Sequence, residues 1–328
     1  MTSWRRRLAA VALGGVVLAV GAAATGYFVA SRHLVAAGPL ASAHPIVVPV
    51  GSPAHIAESL HAAAVIERPL EFRLAAWWTA REGALHAGEF AFPAQASLRQ
   101  VLTILRTARP VQHRLTIPEG LTAAQIAALL DRAEALSGDT PLPGEGMVLP
   151  QTYAFERGTS RVALLERMTA AMGKTLAETW ANRDPALKLA SPDQLLTLAS
   201  LVERETSRPE ERPHVAAVYL NRLRMGMKLQ SDPTVVYAAS GGLGVLDHAL
   251  TRTELDQPGP YNTYRNAALP PGPIASPGLA ALQAAAHPVA SDDLYFVADG
   301  TGGHNFARSL DEHNKNVAKW RAQAVVVK

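Results

Sequence analysis

"TLASLVERETSRPEERPHVAAVYLNRL", residues 197–223, reads as two amphipathic helices joined by a Ser/Pro turn, with one charge out of phase. At about 100° per residue, Leu198, Leu201, Val202 and Glu205 fall on one narrow stripe, the kind that faces the core in a globular protein. Glu203 points elsewhere. An inward carboxylate must be paired, neutralised or used, because burying it alone is costly. Two readings stand at this point: a structural ion pair with an arginine such as Arg222 on the second helix, or a working acid.

The residues that follow bear on the choice. "LQSDPTVVY" (229–237) and "YNTYRNAALPPGP" (261–273) set amides, hydroxyls and tyrosines on backbone stiffened by glycine and proline, a composition suited to hydrogen-bonding and stacking on sugar rings. An inward carboxylate beside such a groove points to general acid catalysis on a glycosidic bond. Gln230, Asn262 and Tyr264 are the candidates for holding the N-acetyl and hydroxyl groups of the sugar. Asp232 reads as the cap of a helix opening at Pro233, and Asn221 and Arg222 as braces between the two helices.

Composition narrows the field further. The 328 residues are 48% hydrophobic and 18% charged, enough for two folded units, and contain no cysteine, which excludes disulfides and thiolate metal sites. A nucleophile elbow, an H-E-x-x-H motif and a P-loop lysine are all missing. "DGTGGHNF" (299–306) reads as a turn, and His287, His304 and His313, even with Asp299, are too irregularly spaced for a metal, so packing or hydrogen-bonding is expected of them. No cofactor and no metal are expected.

Residues 8–30 carry no charge and as a helix would span about 35 Å, sufficient for a bilayer core. Arg5, Arg6 and Arg7 precede them, which keeps the N-terminus cytoplasmic and the rest on the far side. A cleaved signal peptide is the alternative reading of the small residues in "GAAATG" (21–26), although the apolar run is longer than a usual signal-peptide core. Residues 1–32 hold four arginines and no acid, leaving 27 basic and 28 acidic residues in the remainder. Such a body has no electrostatic footprint for nucleic acid, which is not expected as a partner.

The chain divides into a cytoplasmic tip and anchor (1–32), a linker (33–45), a small α+β unit (46–116) and a second, mainly helical domain (117–328) with long groove-forming loops and a few strands. In the small unit, strands are expected at 46–50, 87–92 and 111–120, and helices near 53–66, 69–82 and 97–107. Trp77 and Trp78 read as core, with sugar binding as the alternative. In the second domain a helix follows Thr122 as N-cap, and a mainly helical stretch runs from 160 to the Arg/Met/Gly segment at 224–227. A helix at 277–286, a strand at 293–300 and a helix at 309–324 close the chain.

In order and in similar spacing, "LASLVERET" (198–206), "VAAVYLNRLRMGMKLQSDPTVVYA" (215–238), "YNTYRNAALPPGPIASPG" (261–278), "LQAAAHP" (282–288), "LYFVADGTGGHNF" (294–306) and "HNKNV" (313–317) resemble the MltG (YceG-like) family of endolytic murein transglycosylases. The likeness is dense from about 190 to 320 and thinner from 46 to 160, where "AGEFAF" (87–92) and "LTIPEGLT" (115–122) are the recognisable pieces.

The resemblance implies an α+β fold with a single N-terminal transmembrane helix, a LysM-like module at 46–116 and a catalytic domain beyond it. It implies that Glu205, the second glutamate of "ERET", is catalytic, in agreement with the stripe. The implied reaction cleaves the MurNAc-β-1,4-GlcNAc bond within glycan strands and leaves a 1,6-anhydro-MurNAc end, which terminates nascent strands. One carboxyl serves as acid and then base, whereas a glycoside hydrolase needs two. Peptidoglycan strands as substrate, cell-wall synthases as companions, and a bacterial inner-membrane location with the catalytic domain periplasmic follow from the same resemblance.

One departure is plain. In "LPQTY" (149–153), Gln151 stands where the family carries an acid. A membrane-tethered glycan-binding protein without catalysis and a hydrolytic muramidase are the competing readings. For general acid work Glu205 must stay protonated near neutral pH, through apolar burial by Leu201 and Val202 and with Arg204 and Arg208 pointing outward.

Overall fold

A computed structural model describes residues 2–326, and the chain divides into two compact units, Met1–His113 and Arg114–Lys328. The first unit opens with α1 (Thr2–Val35), whose stretch Leu13–Val35 has a mean hydropathy of 1.8 and is long and apolar enough to cross a membrane. After a short linker, β1 (His44–Val48) pairs antiparallel with β2 (Gly88–Phe92), with Ile46 opposite Phe90. Alternation along the two strands sends Ile46, Val48, Phe90 and Phe92 to one side. There they meet Leu60 of α2 (Pro53–Ala62), Phe72 of α3 (Pro69–Trp78) and Leu105 of α4 (Leu98–Thr107), all fully buried.

Caps fix where these helices begin. The Ser52 hydroxyl accepts the His55 amide at the start of α2, and Ser97 and Gln100 form a reciprocal capping box on α4. Trp77 and Trp78, expected in the core, are instead 78% and 63% exposed. The buried face of α3 is Phe72, Ala75, Ala76 and the following Thr79, and at 100° per residue the two indoles fall off that face.

Strand β3 (Gln112–Thr116) starts at the end of the first unit and runs into the second; it forms a two-stranded sheet with β4 (Thr152–Glu156), and α5 (Ala123–Asp131) lies between them in sequence. Thr122 caps α5 in a capping box with Gln125, as the sequence predicts. Next come α6 (Arg161–Ala181), α7 (Pro192–Glu205), α8 (Arg212–Arg224), α9 (Asp232–Ala239), α10 (Arg252–Asp256) and α11 (Leu279–Ala286). An antiparallel hairpin of β5 (Tyr295–Ala298) and β6 (His304–Ala307) leads into α12 (Leu310–Val326). Among the described residues the fold is mixed α+β, mainly helical, with its strands confined to three two-stranded sheets.

Helix α7 is the axis of this unit. Its neighbours α6, α8 and α11 surround it, and every residue from Leu195 to Val202 is buried. It is therefore a central helix rather than a one-sided amphipathic one, and the stripe of Leu198, Leu201 and Val202 marks only part of its buried surface. The turn expected at "DGTGGHNF" joins β5 to β6: the Asp299 carboxylate accepts the amides of Thr301 and Gly303, while Gly300 and Gly302 take the positive φ this tight reversal requires. The strand β6 and the strand β4, each of four or five residues, carry no sequence signal long enough to separate them from loop.

Candidate active site

Glu205 is the last residue of α7, because Thr206 turns extended, with φ −135°, and Pro209 opens a new turn. Its Oε2 accepts two hydroxyls, Tyr219 Oη of α8 at 2.7 Å and Ser231 Oγ at 3.1 Å. Oε1 has no hydrogen-bond partner among the described residues. Leu201 and Val202, one turn back, are fully buried. Glu205 keeps a partial exposure, yet protein atoms crowd its carboxyl, and that burial pushes its pKa up from the usual carboxylate value. The two hydroxyl donors pull it partly back, the Asp232 charge adds to the rise and His304 opposes it. Burial, together with the charge of Glu205, also drives the Tyr219 hydroxyl well above its ordinary range, so it remains a donor.

The ion pair with Arg222 does not form. That guanidinium donates to the carbonyls of Leu294 at 2.6 Å, Lys228 at 3.1 Å and Leu229 at 2.8 Å, and to Gln230 Oε1 at 3.3 Å. It thereby holds the loop that presents Ser231. Within that loop Gln230 has φ +53°, a left-handed conformation costing a non-glycine residue about 1 kcal/mol, and its amide is tied to the Thr263 carbonyl at 3.1 Å. The Ser231 amide is held by Thr263 Oγ1 at 3.0 Å. Backbone and side chain of one threonine thus aim the Ser231 hydroxyl at Glu205. Arg204 is engaged with the carbonyls of Gly120 and Gly244, and Arg208 with Thr301.

The three residues chosen for sugar contact have different surroundings. Gln230 is exposed. Tyr264 donates its hydroxyl to Asp232, which occupies the first turn of α9 and makes no cap; Ser231 holds the N-cap position, and the cap expected of Asp232 is replaced by this tyrosine bond. Asn262 is 2% exposed: its Nδ2 donates to the carbonyls of Leu255 at 3.0 Å and Gln257 at 2.7 Å, and its Oδ1 accepts the Tyr264 amide at 2.9 Å. This carboxamide knots the loop together. Asn221, expected to brace the two helices, donates instead to the carbonyls of Ser291 and Asp293. A cavity of about 370 Å³ lies beside α9, walled by Tyr237, Glu254, Tyr261 and Asn262, and Glu205 is not among its lining residues.

A second inward acid lies two residues before the first. Glu203, with a side chain 5% exposed, accepts Arg212 at 2.6 Å and the Gly278 amide at 2.9 Å, and Glu119 meets the same guanidinium at 3.4 Å. Burial raises the Glu203 pKa, while the Gly278 amide and Arg212 oppose the rise. His304 joins its ring Nδ1 to Glu211 at 2.7 Å and its amide to the same carboxylate at 2.9 Å. Burial would raise Glu211, but the bonds from His304 outweigh it and hold that acid below its ordinary value. Phe296 packs edge-on against both Tyr219 and His304, so the β5–β6 hairpin closes over the donor to Glu205. His313 stacks on Tyr295, and the described residues contain no group of three side chains able to hold a metal.

The periodicity of residues 197–205 finds Glu205 but not its donors. Tyr219 and Ser231 lie in the quoted segments 215–238, yet a hydroxyl has no preferred phase, and only the crossing of α7 and α8 and the turn at Gln230 bring them to one oxygen.

Comparison with known proteins places the chain in a family. A protein of Streptococcus pneumoniae strain D39 named endolytic murein transglycosylase is 34% identical over 252 residues, 64% of this chain and 45% of the relative. One of the same name from Bacillus subtilis strain 168 is 38% identical over 178 residues, 54% of this chain and 48% of the relative. The chain thus spans about half the length of the curated relatives it matches. The crystal structure of a YceG-like protein from Listeria monocytogenes superposes with a TM-score of 0.53 at 28% identity, covering 84% of this chain and 98% of that one. Residues 46–319 match the YceG-like family, and the chain belongs to it.

Proposed function

We propose that the protein is an endolytic murein transglycosylase that cleaves the MurNAc-β-1,4-GlcNAc bond within peptidoglycan strands, with Glu205 as its single acid and base. The observation that carries the reading is the state of that carboxyl: crowded by protein, raised in pKa and, among the described residues, hydrogen-bonded by two neutral hydroxyls with no guanidinium in contact. Both donors address Oε2, which leaves Oε1 as the oxygen that carries the proton. Oε1–H protonates the glycosidic oxygen, the bond from the sugar carbon to that oxygen breaks, and positive charge develops on the ring. The 6-hydroxyl of the same sugar then attacks that carbon and returns its proton to the carboxylate. The outcome is a 1,6-anhydro ring, with no water consumed and no second carboxylate needed, in contrast to hydrolytic enzymes.

Gln230, exposed beside Ser231, and Tyr264, bonded to Asp232, are proposed to contact the sugar, with Asn262 holding the loop that carries Tyr264. The small unit at 46–116 acts as a LysM-like glycan-binding module. Helix α1 anchors the protein in a bacterial inner membrane, N-terminus cytoplasmic, with the remainder periplasmic beside the cell-wall synthases whose nascent strands it terminates. The relatives' names and the family support the chemistry. Mass spectrometry of products from purified glycan strands is the test: the expected new ends are one water lighter than reducing ends. Reducing ends would make the protein a hydrolytic muramidase, and unchanged strands a binding protein.

A further inference from the structure

Helix α3 of the small unit has two apolar faces. Phe72, Ala75 and Ala76 fill the core, while Leu70, Leu74, Trp77 and Trp78, spaced for one helical stripe, are 62%, 57%, 78% and 63% exposed. A stripe of four large apolar side chains facing water needs an occupant. The residues around it indicate which. The Trp78 ring lies 6.3 Å from that of Tyr27 on α1, and an apolar groove of about 680 Å³ between α1 and α3 is lined by Val29, Leu34, Leu74 and both indoles. On α1 the same level is marked by Phe28 with the Arg32 guanidinium 4.6 Å above its ring. This is the outer part of the stretch long and apolar enough to span a bilayer.

Tryptophan, tyrosine and arginine at the end of an apolar helix form the belt that proteins place at the headgroup level. We infer that the exposed stripe of α3 lies in the outer surface of the lipid bilayer, so that the small unit rests on the membrane instead of hanging from α1 on a free linker. Charge agrees with lipid: Arg73 and Arg81 are exposed beside the stripe and make no ion pair among the described residues, which leaves them for phosphate headgroups. A sugar chain is a poorer fit, because Leu70 and Leu74 offer it neither a flat face nor a hydrogen bond. The consequence is positional: a glycan held by this unit would be held close to the membrane, where new strands emerge. The inference rests on the reading of α1 as an anchor.

The chain contains no cysteine, so single nitroxide labels can be placed without background. The full chain carrying Trp77→Cys, Leu70→Cys, Leu18→Cys or Val47→Cys is reconstituted in phosphatidylethanolamine vesicles containing phosphatidylglycerol, and each label is tested for accessibility to oxygen and to a water-soluble nickel chelate. Labels at 77, 70 and 18 are expected to favour oxygen, and the label at Val47, exposed on β1, to favour nickel. Nickel access at 77 and 70 with oxygen access at 18 would overturn the inference and leave the anchor intact. Nickel access at 18 would overturn the anchor and the inference with it. A label at 77 that stays in water and is immobilised by added glycan strands, or that broadens by pairing with a second copy, would assign the stripe to sugar or to self-association and overturn the lipid reading.

Discussion

Glu203 and Glu205 sit two residues apart at the end of α7, both with carboxyls crowded by protein and both pushed up in pKa by that desolvation, and they have opposite surroundings. Glu203 is given a guanidinium at 2.6 Å, a backbone amide at 2.9 Å and a second carboxylate sharing the same arginine. Glu205 is given two hydroxyls, both on one oxygen. The first set stabilises a charge and cements α7 to α8 and the start of α11. The second tolerates a neutral acid and leaves one oxygen unoccupied. Burial alone does not make an acid catalytic; what replaces the lost water decides whether the group is a fixed anion or a proton carrier.

Glu205→Gln is the sharpest way to break the comparison. The amide retains an oxygen for Tyr219 and Ser231 but cannot give up a proton, so strand cleavage should fall by about a thousandfold, the scale of a lost general acid. Stability should hold or rise slightly. A folded pKa above the unfolded value means that the folded chain binds more protons between the two, so the wild type should lose stability as pH rises from the ordinary carboxylate value through the raised one; the glutamine variant should lose less over that window. Urea melts at several pH values together with product assays check both halves. Wild-type turnover in this variant would end the assignment of Glu205.

Glu203→Ala should do the reverse. Arg212 is buried, and among the described residues its Nε has no partner and removing Glu203 leaves its charge only the 3.4 Å contact to Glu119. A buried guanidinium deprived of its acid costs about 3 kcal/mol, read as a lowered urea midpoint, with activity retained in the fraction that remains folded. Equal stability with lost turnover would place Glu203, and not Glu205, at the chemistry.

Much of this contrast is legible in the sequence, and part of it is not. The stripe of Leu198, Leu201 and Val202 places Glu205 inward, and the Ser/Pro turn ends α7 at the right residue. Glu203 is off the stripe, which is true, but off the stripe does not mean in water here, because α11 covers that side as well. Periodicity describes one helix and one core, and it fails where a helix is enclosed on all sides. The exposed tryptophans of α3 fail in the opposite sense: an indole reads as core from its size, yet its phase on the helix sends it outward. Asn262, chosen for its chemistry as a sugar ligand, spends that chemistry on backbone carbonyls that only the folded loop brings within reach.

Tyr219→Phe sharpens the comparison within the Glu205 site. It removes the 2.7 Å donor to Oε2 while keeping the ring packed against Phe296. Hydrogen bonds to the charged form lower a carboxyl pKa, so their loss should raise that of Glu205 and move the alkaline limb of the pH–rate profile upward. The carboxylate formed after the first proton transfer is less well held, and turnover at the new optimum should drop by about tenfold, the value of one hydrogen bond to a charged group. A downward shift of the limb would mean that the phenol had favoured the protonated acid.

The smallest effect is expected at Gly278. Its amide binds Glu203, and a Cβ there would collide with the Glu119 carboxyl. The residue has φ −75°, so alanine strains no backbone, and the obstacle is the end of a side chain 45% exposed to solvent. Glu119 can swing away and surrender its long contact to Arg212 while the 2.6 Å bond from Arg212 to Glu203 persists. Gly278→Ala should therefore cost less than about 1 kcal/mol, because the contact given up is long and its carboxylate half faces solvent, and leave the pH–rate profile unmoved. A loss as large as that of Glu203→Ala would show that Glu119, Arg212 and Glu203 act as one inseparable triad, and that the anion at 203 depends on a neighbour far more exposed than itself.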